Sequence, residues 1–195
     1  YSRVRTKSGL TAEAAARMLL SRGGSANVTI SRVNGSLTDH YDPRSNTLRL
    51  SDTVYGSDSV AAVGVAAHEC GHALQEHDGY GLLKLRTALV PVVNIGSSLY
   101  LPIFMAGLLF SWEPLQMVGI LCFGLTLLFS LVTLPVEINA SKRALGMLEG
   151  VLDAEELQGA KAVLSAAALT YLASVISSAL QLLRLILISR SRNRD

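Results

Sequence analysis

The hydrophobic positions of the chain are gathered into long uncharged stretches. Residues 88–110 and 115–136 contain no Asp, Glu, Lys or Arg, and each stretch is long enough to cross about 30 Å of hydrocarbon as a helix. Between them, residues 111–114 form a short polar turn that contains Trp112, a residue type that favours the membrane interface. The pattern therefore predicts a transmembrane helical hairpin over residues 87–136.

A third apolar stretch covers residues 162–183 and resumes after Arg184 as residues 185–188. It is richer in Ala and Ser than the first two, which suits a helix packed against protein as well as one in lipid. Two interpretations stay open: a third transmembrane span, or a buried helix that completes the domain formed by the polar parts. Because the sequence begins with Tyr1 rather than Met, we expect that a further N-terminal piece, with another membrane segment, is missing.

The N-terminal part has the pattern of a small α+β domain. Thr11 is a good N-cap for a short amphipathic helix that ends at the Gly23-Gly24 pair. Three pieces then alternate apolar and polar residues, at 27–33, around 36–41 and at 47–50. Asn34-Gly35 predicts a hairpin between the first two pieces, and residues 42–46 have turn chemistry. Together these segments predict a small twisted sheet.

The composition is typical of a membrane protein and gives no sign of nucleic-acid binding. Half of the residues are hydrophobic and 16% are charged, against about 25% charged in a soluble domain. The net charge is only +2, and no basic run is interleaved with aromatic residues, so no nucleic-acid partner is expected. Cys70 and Cys122 lie far apart and do not form a disulfide framework.

We therefore predict an α+β fold that is mainly helical and sits in a membrane, with a small twisted sheet and a transmembrane helical hairpin. The expected parts are 1–86, with the sheet and a buried helix; 87–136, the hairpin; and 137–195, which returns to complete the first part.

The chemistry is concentrated on a helix predicted from Ser57 or Asp58 to about Gln75. His68 and His72 are four residues apart, so both imidazoles project from one face and can bind one zinc ion. A catalytic zinc keeps one coordination position for water, and Glu69 can take that water's proton and later pass one to the leaving amine. This is a zincin-type HExxH helix, in which Glu69 is the expected catalytic base.

Two further residues of this helix are explained by packing. Gly71 lies in mid-helix, where glycine costs about 1 kcal/mol relative to Ala, so a neighbouring helix or strand is expected to approach closely there. Cys70 is interpreted as small packing rather than as a ligand.

The third zinc ligand is not decided by spacing. His77 lies at the expected end of the helix, where a solvated or capping role is typical. His40 ends a strand and is more typical of a surface or cleft residue. Glu137 follows the second apolar stretch, and it can be a ligand or can simply mark the membrane boundary.

The chain resembles the neutral zinc metallopeptidases of the YugP type, which are similar to the gluzincins that include HtpX and the prenyl-protein proteases. The resemblance covers nearly the whole chain and is carried by residues 68–75 (HECGHALQ), 137–141 (EINAS), 41–44 (YDPR) and 166–171 (AAALTY). It implies a Zn²⁺ cofactor, Glu137 as the third ligand, and a membrane segment at the N-terminus.

The resemblance also implies a residue that orients a ligand His. Those gluzincins place Ala three and Asp four residues after the ligand Glu; here Ala140 matches, but Ser141 stands in the Asp position. Asn139 and Ser141 are therefore the expected substitutes.

A donor to the transition-state oxyanion can come from Tyr171 or Arg143; the alternatives are a tyrosine hydroxyl at a helix interface and a positive anchor at the membrane. The strand at 47–50 can offer its edge to an extended substrate, or it can be an ordinary capped edge.

Charge sets the expected side of the membrane. Lys84 and Arg86 precede the hairpin, and Lys142 and Arg143 follow it, so the zinc site is expected on the cytoplasmic face of a bacterial cell membrane, in a multi-pass protein. A third span would place Arg190, Arg192 and Arg194 on the other side, against that rule.

The expected function is that of a zinc metalloendopeptidase acting on membrane-associated proteins or peptides, with the bilayer and membrane proteins as partners. The alternative is a non-catalytic membrane metal-binding or scaffold protein, or a metal transporter.

Overall fold

The computed structural model describes residues 1–192. In chain order the elements are α1 Ala12–Arg22, β1 Thr29–Val33, β2 His40–Asp42, β3 Thr47–Ser51, α2 Val60–His77, α3 Gly81–Leu109, α4 Glu113–Leu148 and α5 Ala154–Arg192. The fold is mostly helical with one small three-stranded sheet, which confirms the predicted balance of helix and strand.

The chain folds as two compact units. The first contains Tyr1–Tyr80 and Val136–Leu169, and the second contains Gly81–Pro135 together with the chain from Thr170 onward. Helices α4 and α5 each contribute one segment to either unit. The three-part division predicted at residues 86 and 136 stays a prediction.

The sheet of the first unit has the order β1-β3-β2. Strand β1 runs parallel to β3, with Thr29 opposite Thr47. Strand β2 runs antiparallel to β3, with Tyr41 opposite Leu48. The turn predicted at residues 42–46 is confirmed, because the Asp42 carboxylate accepts hydrogen bonds from the Arg44 N–H and the Ser45 hydroxyl. The main core of the unit includes Leu48 and Leu50 from the central strand.

Two expectations about the strands were wrong. The Asn34-Gly35 pair does not join neighbouring strands, because β3 lies between β1 and β2. Gly35 instead has a φ of 109° and donates its N–H to Asp52. The strand at 47–50 has no edge to offer a substrate, because both of its sides are paired. The edge strands are β1 and β2.

Helix α1 and helix α2 pack together through small side chains in the first unit. Thr11 caps α1 as predicted, with its hydroxyl oxygen accepting the Ala14 N–H at 3.3 Å. Ser59 caps α2 in the same way, through the Ala62 N–H. The buried small and aliphatic residues of this core include Ala12, Ala15, Ala16, Leu19, Val63, Ala66 and Ala67.

Helix α4 approaches α2 at Gly71, which confirms the predicted close contact there. A Cβ placed on Gly71 would lie 2.4 Å from the carbonyl oxygen of Ala140. Atoms do not approach that closely without displacement, so only glycine allows this packing. The contact fixes the α4 segment that begins at Val136 against the middle of α2.

The second unit consists of helical segments from α3, α4 and α5. Glycines let α3 and α4 pack closely: a Cβ on Gly107 would meet the Gln116 backbone at 2.5 Å, and one on Gly119 would meet the Phe104 side chain at 2.7 Å. Gln116 is fully buried; its amide donates to the Gly107 carbonyl at 3.1 Å and its oxygen accepts the Ser189 hydroxyl at 2.6 Å.

Helices α3, α4 and α5 are each long and apolar enough to cross a membrane. Between 17% and 28% of the most apolar window of each helix is buried, so most of these residues face outward. Exposed apolar side chains on the second unit include Ile95, Leu99, Leu101, Met105, Leu121, Leu128, Leu131 and Leu180. Such a continuous apolar surface is typical of a protein that faces lipid.

The contact at Gly71 yields a stability prediction. We expect Gly71→Ala to lower the free energy of unfolding by about 1–3 kcal/mol, the range found for overpacked cores, because the new methyl group must displace the Ala140 carbonyl. The matched control is Gly146→Ala on α4, where a Cβ meets nothing within 4 Å and helix propensity favours Ala by up to about 1 kcal/mol. Unfolding of both variants in detergent, followed by circular dichroism, measures the difference. Equal stability of the two variants would refute the close contact.

Candidate metal centre

In the first unit, one face of α2 carries the two histidines predicted to bind a metal. His68 and His72 lie one helical turn apart, with ring centroids separated by 4.8 Å and ring planes nearly perpendicular at 87°. Both side chains are largely buried, with 14% and 12% of their surface exposed. The spacing along α2 therefore places two imidazoles at one point, as the sequence predicts.

Glu137 from α4 completes a cluster with the two histidines. Its Oε2 atom lies 3.1 Å from Nε2 of His68 and 3.4 Å from Nε2 of His72. One ligand atom from each of the three residues lies within 4.8 Å of the others. The structure thus brings together His68, His72 and Glu137, although Glu137 stands 69 positions beyond His68 in the chain.

The distances from Glu137 to the two imidazoles fit a tetrahedral zinc ion. Zinc bonds to nitrogen and oxygen are about 2.0–2.2 Å long, so two ligand atoms at a tetrahedral angle are about 3.3 Å apart. The two distances from Glu137 to the imidazoles are 3.1 and 3.4 Å. Two neutral imidazoles and one carboxylate are also a ligand combination that leaves the metal with net positive charge.

The acidic surroundings favour a cation at this point. Burial of the His72 ring disfavours its charged form, yet hydrogen bonding to Glu137 and the nearby Glu69 charge outweigh that effect and raise the pKa of His72. A positive charge between these groups is therefore stabilised, whether it is carried by a proton or by a metal ion.

Glu69 is held in place by the sheet. Its Oε2 atom accepts the Tyr41 backbone N–H at 3.0 Å, and the residue is buried except for 8% of its surface. Tyr41 belongs to β2, an edge strand, so the outer side of β2 faces Glu69. The catalytic residue predicted from the sequence is thus placed beside a strand edge, and that edge belongs to β2 rather than to the predicted strand at 47–50.

A buried amide, Gln75, orients one of the two histidines. Its Nε2 group donates to the Val136 carbonyl and to Oδ1 of Asn139, both at 2.9 Å. Its oxygen must therefore be the acceptor that lies 2.9 Å from Nδ1 of His72. Nδ1 of His72 then carries the hydrogen, which leaves the Nε2 lone pair free to bind a metal.

Gln75 was not predicted to belong to the site, although the sequence around it carries a signal. The residue is fully buried and lies three positions after His72, on a helix whose other buried residues are mostly small and apolar. A lone amide at that position is typical of a residue that supports a ligand.

The four residues predicted to support the site lie in different places. Ser141 contacts the site directly, with its Oγ 3.1 Å from Nδ1 of His68. Asn139 contacts Gln75 rather than a histidine, and it also accepts the Arg143 Nε–H at 2.9 Å. Arg143 additionally donates to Asp78. Tyr171 lies on α5, in the second unit. Their roles stay predictions.

The remaining His and Cys candidates lie outside the cluster. His77 is exposed at the end of α2, with Nδ1 3.1 Å from Asp78; hydrogen bonds from Arg143 and His77 lower the pKa of Asp78. His40 is exposed, and its Nδ1 lies 2.8 Å from the Thr38 carbonyl oxygen. Cys70 is buried and points at the Ala16 carbonyl. Burial raises the pKa of its thiol, so it stays protonated and is a packing residue, as predicted.

Comparison with known proteins agrees with this donor set. Residues 1–190 match a family described as "Putative neutral zinc metallopeptidase". The chain is also 44% identical over 190 residues to the "Putative membrane protease YugP" of Bacillus subtilis (strain 168), an alignment that covers 96% of this chain and 84% of that protein. No solved structure matches the chain. The match over nearly its whole length shows that this chain belongs to the neutral zinc metallopeptidase family.

Proposed function

We propose that this protein is a membrane-embedded zinc metalloendopeptidase of the gluzincin type, which hydrolyses peptide bonds in proteins or peptides near the membrane surface. The observation that carries the proposal is the cluster itself: the Glu137 carboxylate lies within 3.4 Å of both imidazoles of a His-Glu-x-x-His helix. The family description supplies the metal and the reaction class.

His68, His72 and Glu137 would hold the zinc ion. Bound there, zinc supplies a Lewis acid that lowers the pKa of a water molecule to near neutrality. Glu69 then accepts a proton from the attacking water as the water oxygen bonds to the peptide carbonyl carbon. The same carboxyl group donates that proton to the amide nitrogen as the C–N bond breaks. The Tyr41 N–H keeps the Glu69 carboxylate oriented throughout.

Strand β2 is the segment best placed to hold a substrate. It is an edge strand of three residues, and its Tyr41 N–H points at Glu69. The Tyr41 N–H itself is taken by Glu69, so an extended peptide beside this edge would bind through the remaining backbone groups there, next to the catalytic carboxylate. Recognition through the backbone suits an endopeptidase, because it does not depend on one particular side chain.

The supporting residues divide between the two ligand histidines. Ser141 lies against Nδ1 of His68, and Gln75 against Nδ1 of His72. Asn139 holds Gln75, and Arg143 holds Asn139. Tyr171 and Arg143 remain the candidates for an oxyanion donor. In this structure Arg143 donates to Asn139 through Nε and to Asp78 through Nη1, and its guanidinium group carries further N–H donors for that role.

The alternative, a non-catalytic metal-binding or scaffold protein, is less well supported. A structural zinc site is usually closed by four protein ligands. Within the described part of the chain, the cluster contains three ligand residues, and the Cys70 sulfur points away toward the Ala16 carbonyl. A metal held by three residues with Glu69 beside it leaves a coordination position for water, as catalysis requires.

We also propose that the protein crosses the membrane more than once, with the zinc site on the cytoplasmic side. Three helices have the length and composition for it. Lys84 and Arg86 at the start of α3, and Lys142 and Arg143 on α4, bracket the apolar hairpin, and such residues are retained on the cytoplasmic side. The partners would be the bilayer, membrane-associated substrates and other membrane proteins.

Replacing the catalytic base separates chemistry from metal binding. We expect Glu69→Gln to lower the rate of peptide hydrolysis about 10²–10⁴-fold with unchanged zinc content, because Gln keeps the shape of Glu but cannot accept a proton. The control is Glu149→Gln, an exposed position of the same unit. Peptidase assays and elemental analysis of the same preparations test this. Loss of zinc together with activity would instead identify Glu69 as a ligand.

Replacing the third ligand should, unlike Glu69→Gln, lower the zinc content of the protein. We expect Glu137→Gln to lose most of its zinc, because a neutral amide is a poorer ligand than a carboxylate. His68→Ala should lose zinc in the same way, whereas Glu149→Gln should not. Metal content after dialysis against a chelator is the measurement, and full zinc occupancy in either of the first two variants would overturn the ligand assignment.

Gln75 should act on zinc affinity through His72. We expect Gln75→Leu to weaken zinc binding about 10–100-fold, the effect typical of losing an orienting hydrogen bond. Gln75→Glu retains an oxygen acceptor for His72 and should retain more of the affinity, although both variants lose the donor to Val136. Competition with a zinc-binding dye measures the constants, with the exposed Gln158→Leu as control. Equal affinities in the Leu and Glu variants would show a purely structural role.

A further inference from the structure

The second unit contains a small cavity to which several polar side chains contribute, among otherwise apolar helices. Its volume is about 170 Å³, and it is lined by Arg86 from α3, Phe129, Ser130 and Thr133 from α4, and Tyr171 and Ser174 from α5. One guanidinium group and four hydroxyl groups therefore converge on a small space. A cavity of this composition is suited to an anion with several acceptor oxygens.

Thr133 brings a hydroxyl group without a hydrogen-bond partner to the cavity. The residue is 6% exposed, and its hydroxyl oxygen is buried without a hydrogen-bond partner. A helical Ser or Thr ordinarily donates to the carbonyl four residues earlier, as Ser130 does to Thr126 at 3.0 Å. A buried polar group without a partner is destabilising. An acceptor bound in the cavity would therefore stabilise the Thr133 hydroxyl.

The described residues of this unit include more basic than acidic side chains. Within residues 81–135 and 170–191 there is one acidic residue, Glu113, while the basic residues are Lys84, Arg86, Arg184 and Arg190. Glu113 lies at the hairpin end of α4, 27 positions along the chain from Arg86 and beyond the far end of α3. The guanidinium group of Arg86 carries five N–H donors, so it can bind more than one acceptor at once.

The depth of Arg86 identifies the source of the anion. At about 1.5 Å per residue, the part of α3 from Arg86 to Leu109 is about 35 Å long. If Trp112 in the hairpin turn marks one interface, Arg86 lies just beyond the roughly 30 Å hydrocarbon layer, at the level of the opposite headgroups. Exposed apolar side chains that are close in the sequence to the cavity-lining residues can contact acyl chains. They are Val90, Leu128, Leu131 and Leu172.

We propose that this cavity binds the phosphate group of an anionic phospholipid. Arg86 pairs with the phosphate charge, the Thr133 hydroxyl donates to a phosphate oxygen, and the Ser174 hydroxyl supplies a further donor. Basic cavities between helices at headgroup depth are suited to such lipids. The inference rests on the proposed membrane insertion and not on the peptidase activity, so the two can fail separately.

Lipid binding to the full chain in detergent tests the proposal. Native mass spectrometry would measure retention of phosphatidylglycerol against phosphatidylcholine, and we expect the anionic lipid to be retained preferentially. Thr133→Val should weaken its binding about tenfold, since one hydrogen bond to a charged group is lost. Thr133→Ser, which retains the hydroxyl, should bind as the unchanged protein does.

Two matched controls and one competing ligand make the outcome decisive. Thr126→Val removes another buried hydroxyl without a hydrogen-bond partner from the same helix, outside the cavity lining, and Lys84→Gln removes an exposed cation two residues from Arg86; neither should change retention. Inorganic phosphate should not displace the lipid at millimolar concentration. Equal retention of both lipids, an equal effect of Thr133→Val and Thr126→Val, or tight binding of free phosphate alone would each overturn the proposal.

Discussion

The close contact of α2 and α4 at Gly71 is the constraint on which the metal centre depends. On α4, Glu137, Ala140 and Ser141 occupy positions i, i+3 and i+4, and so share one face. Ala140 packs its backbone onto Gly71, while its neighbours on that face contact the histidines. A larger residue at position 71 would move the whole face outward. The geometry of the ligands is therefore set by a steric gap rather than by the ligands themselves.

The sheet has a comparable role for the catalytic carboxylate. Leu48 and Leu50 of the central strand β3 are buried in the core, which fixes β3 and, through its ladder, the edge strand β2. The Tyr41 N–H of β2 then binds Glu69. A buried carboxylate needs hydrogen-bond donors, and the backbone amide supplies one. The sheet thus fixes the carboxylate of Glu69, while the contact of α2 with α4 brings Glu137 to the two histidines.

Local sequence signals predicted the helices, but they did not predict the contacts between residues that lie far apart in the sequence. The length of the apolar stretches, the N-cap at Thr11 and the HExxH spacing are local properties of the sequence. They predicted the helices and the pairing of the two histidines. Spacing alone left Glu137 open between ligand and membrane boundary, and the family resemblance was needed to choose it. The parallel pairing of β1 with β3 has no local signature, and the Asn34-Gly35 pair instead indicated the wrong neighbour. Gln75 was missed because its burial depends on α4, which lies far away in the sequence.

The buried amide at position 75 links α4, just after Pro135, to a ligand of α2. Proline has no N–H, so the helix loses one of its backbone hydrogen bonds at that point, two residues before Glu137. The Gln75 amide donates to the carbonyl of Val136, between the proline and the ligand. The oxygen of the same amide orients His72. One side chain therefore ties Val136 of α4 to a ligand of α2, and an apolar residue of equal size would leave both the Val136 carbonyl and the imidazole without that hydrogen bond.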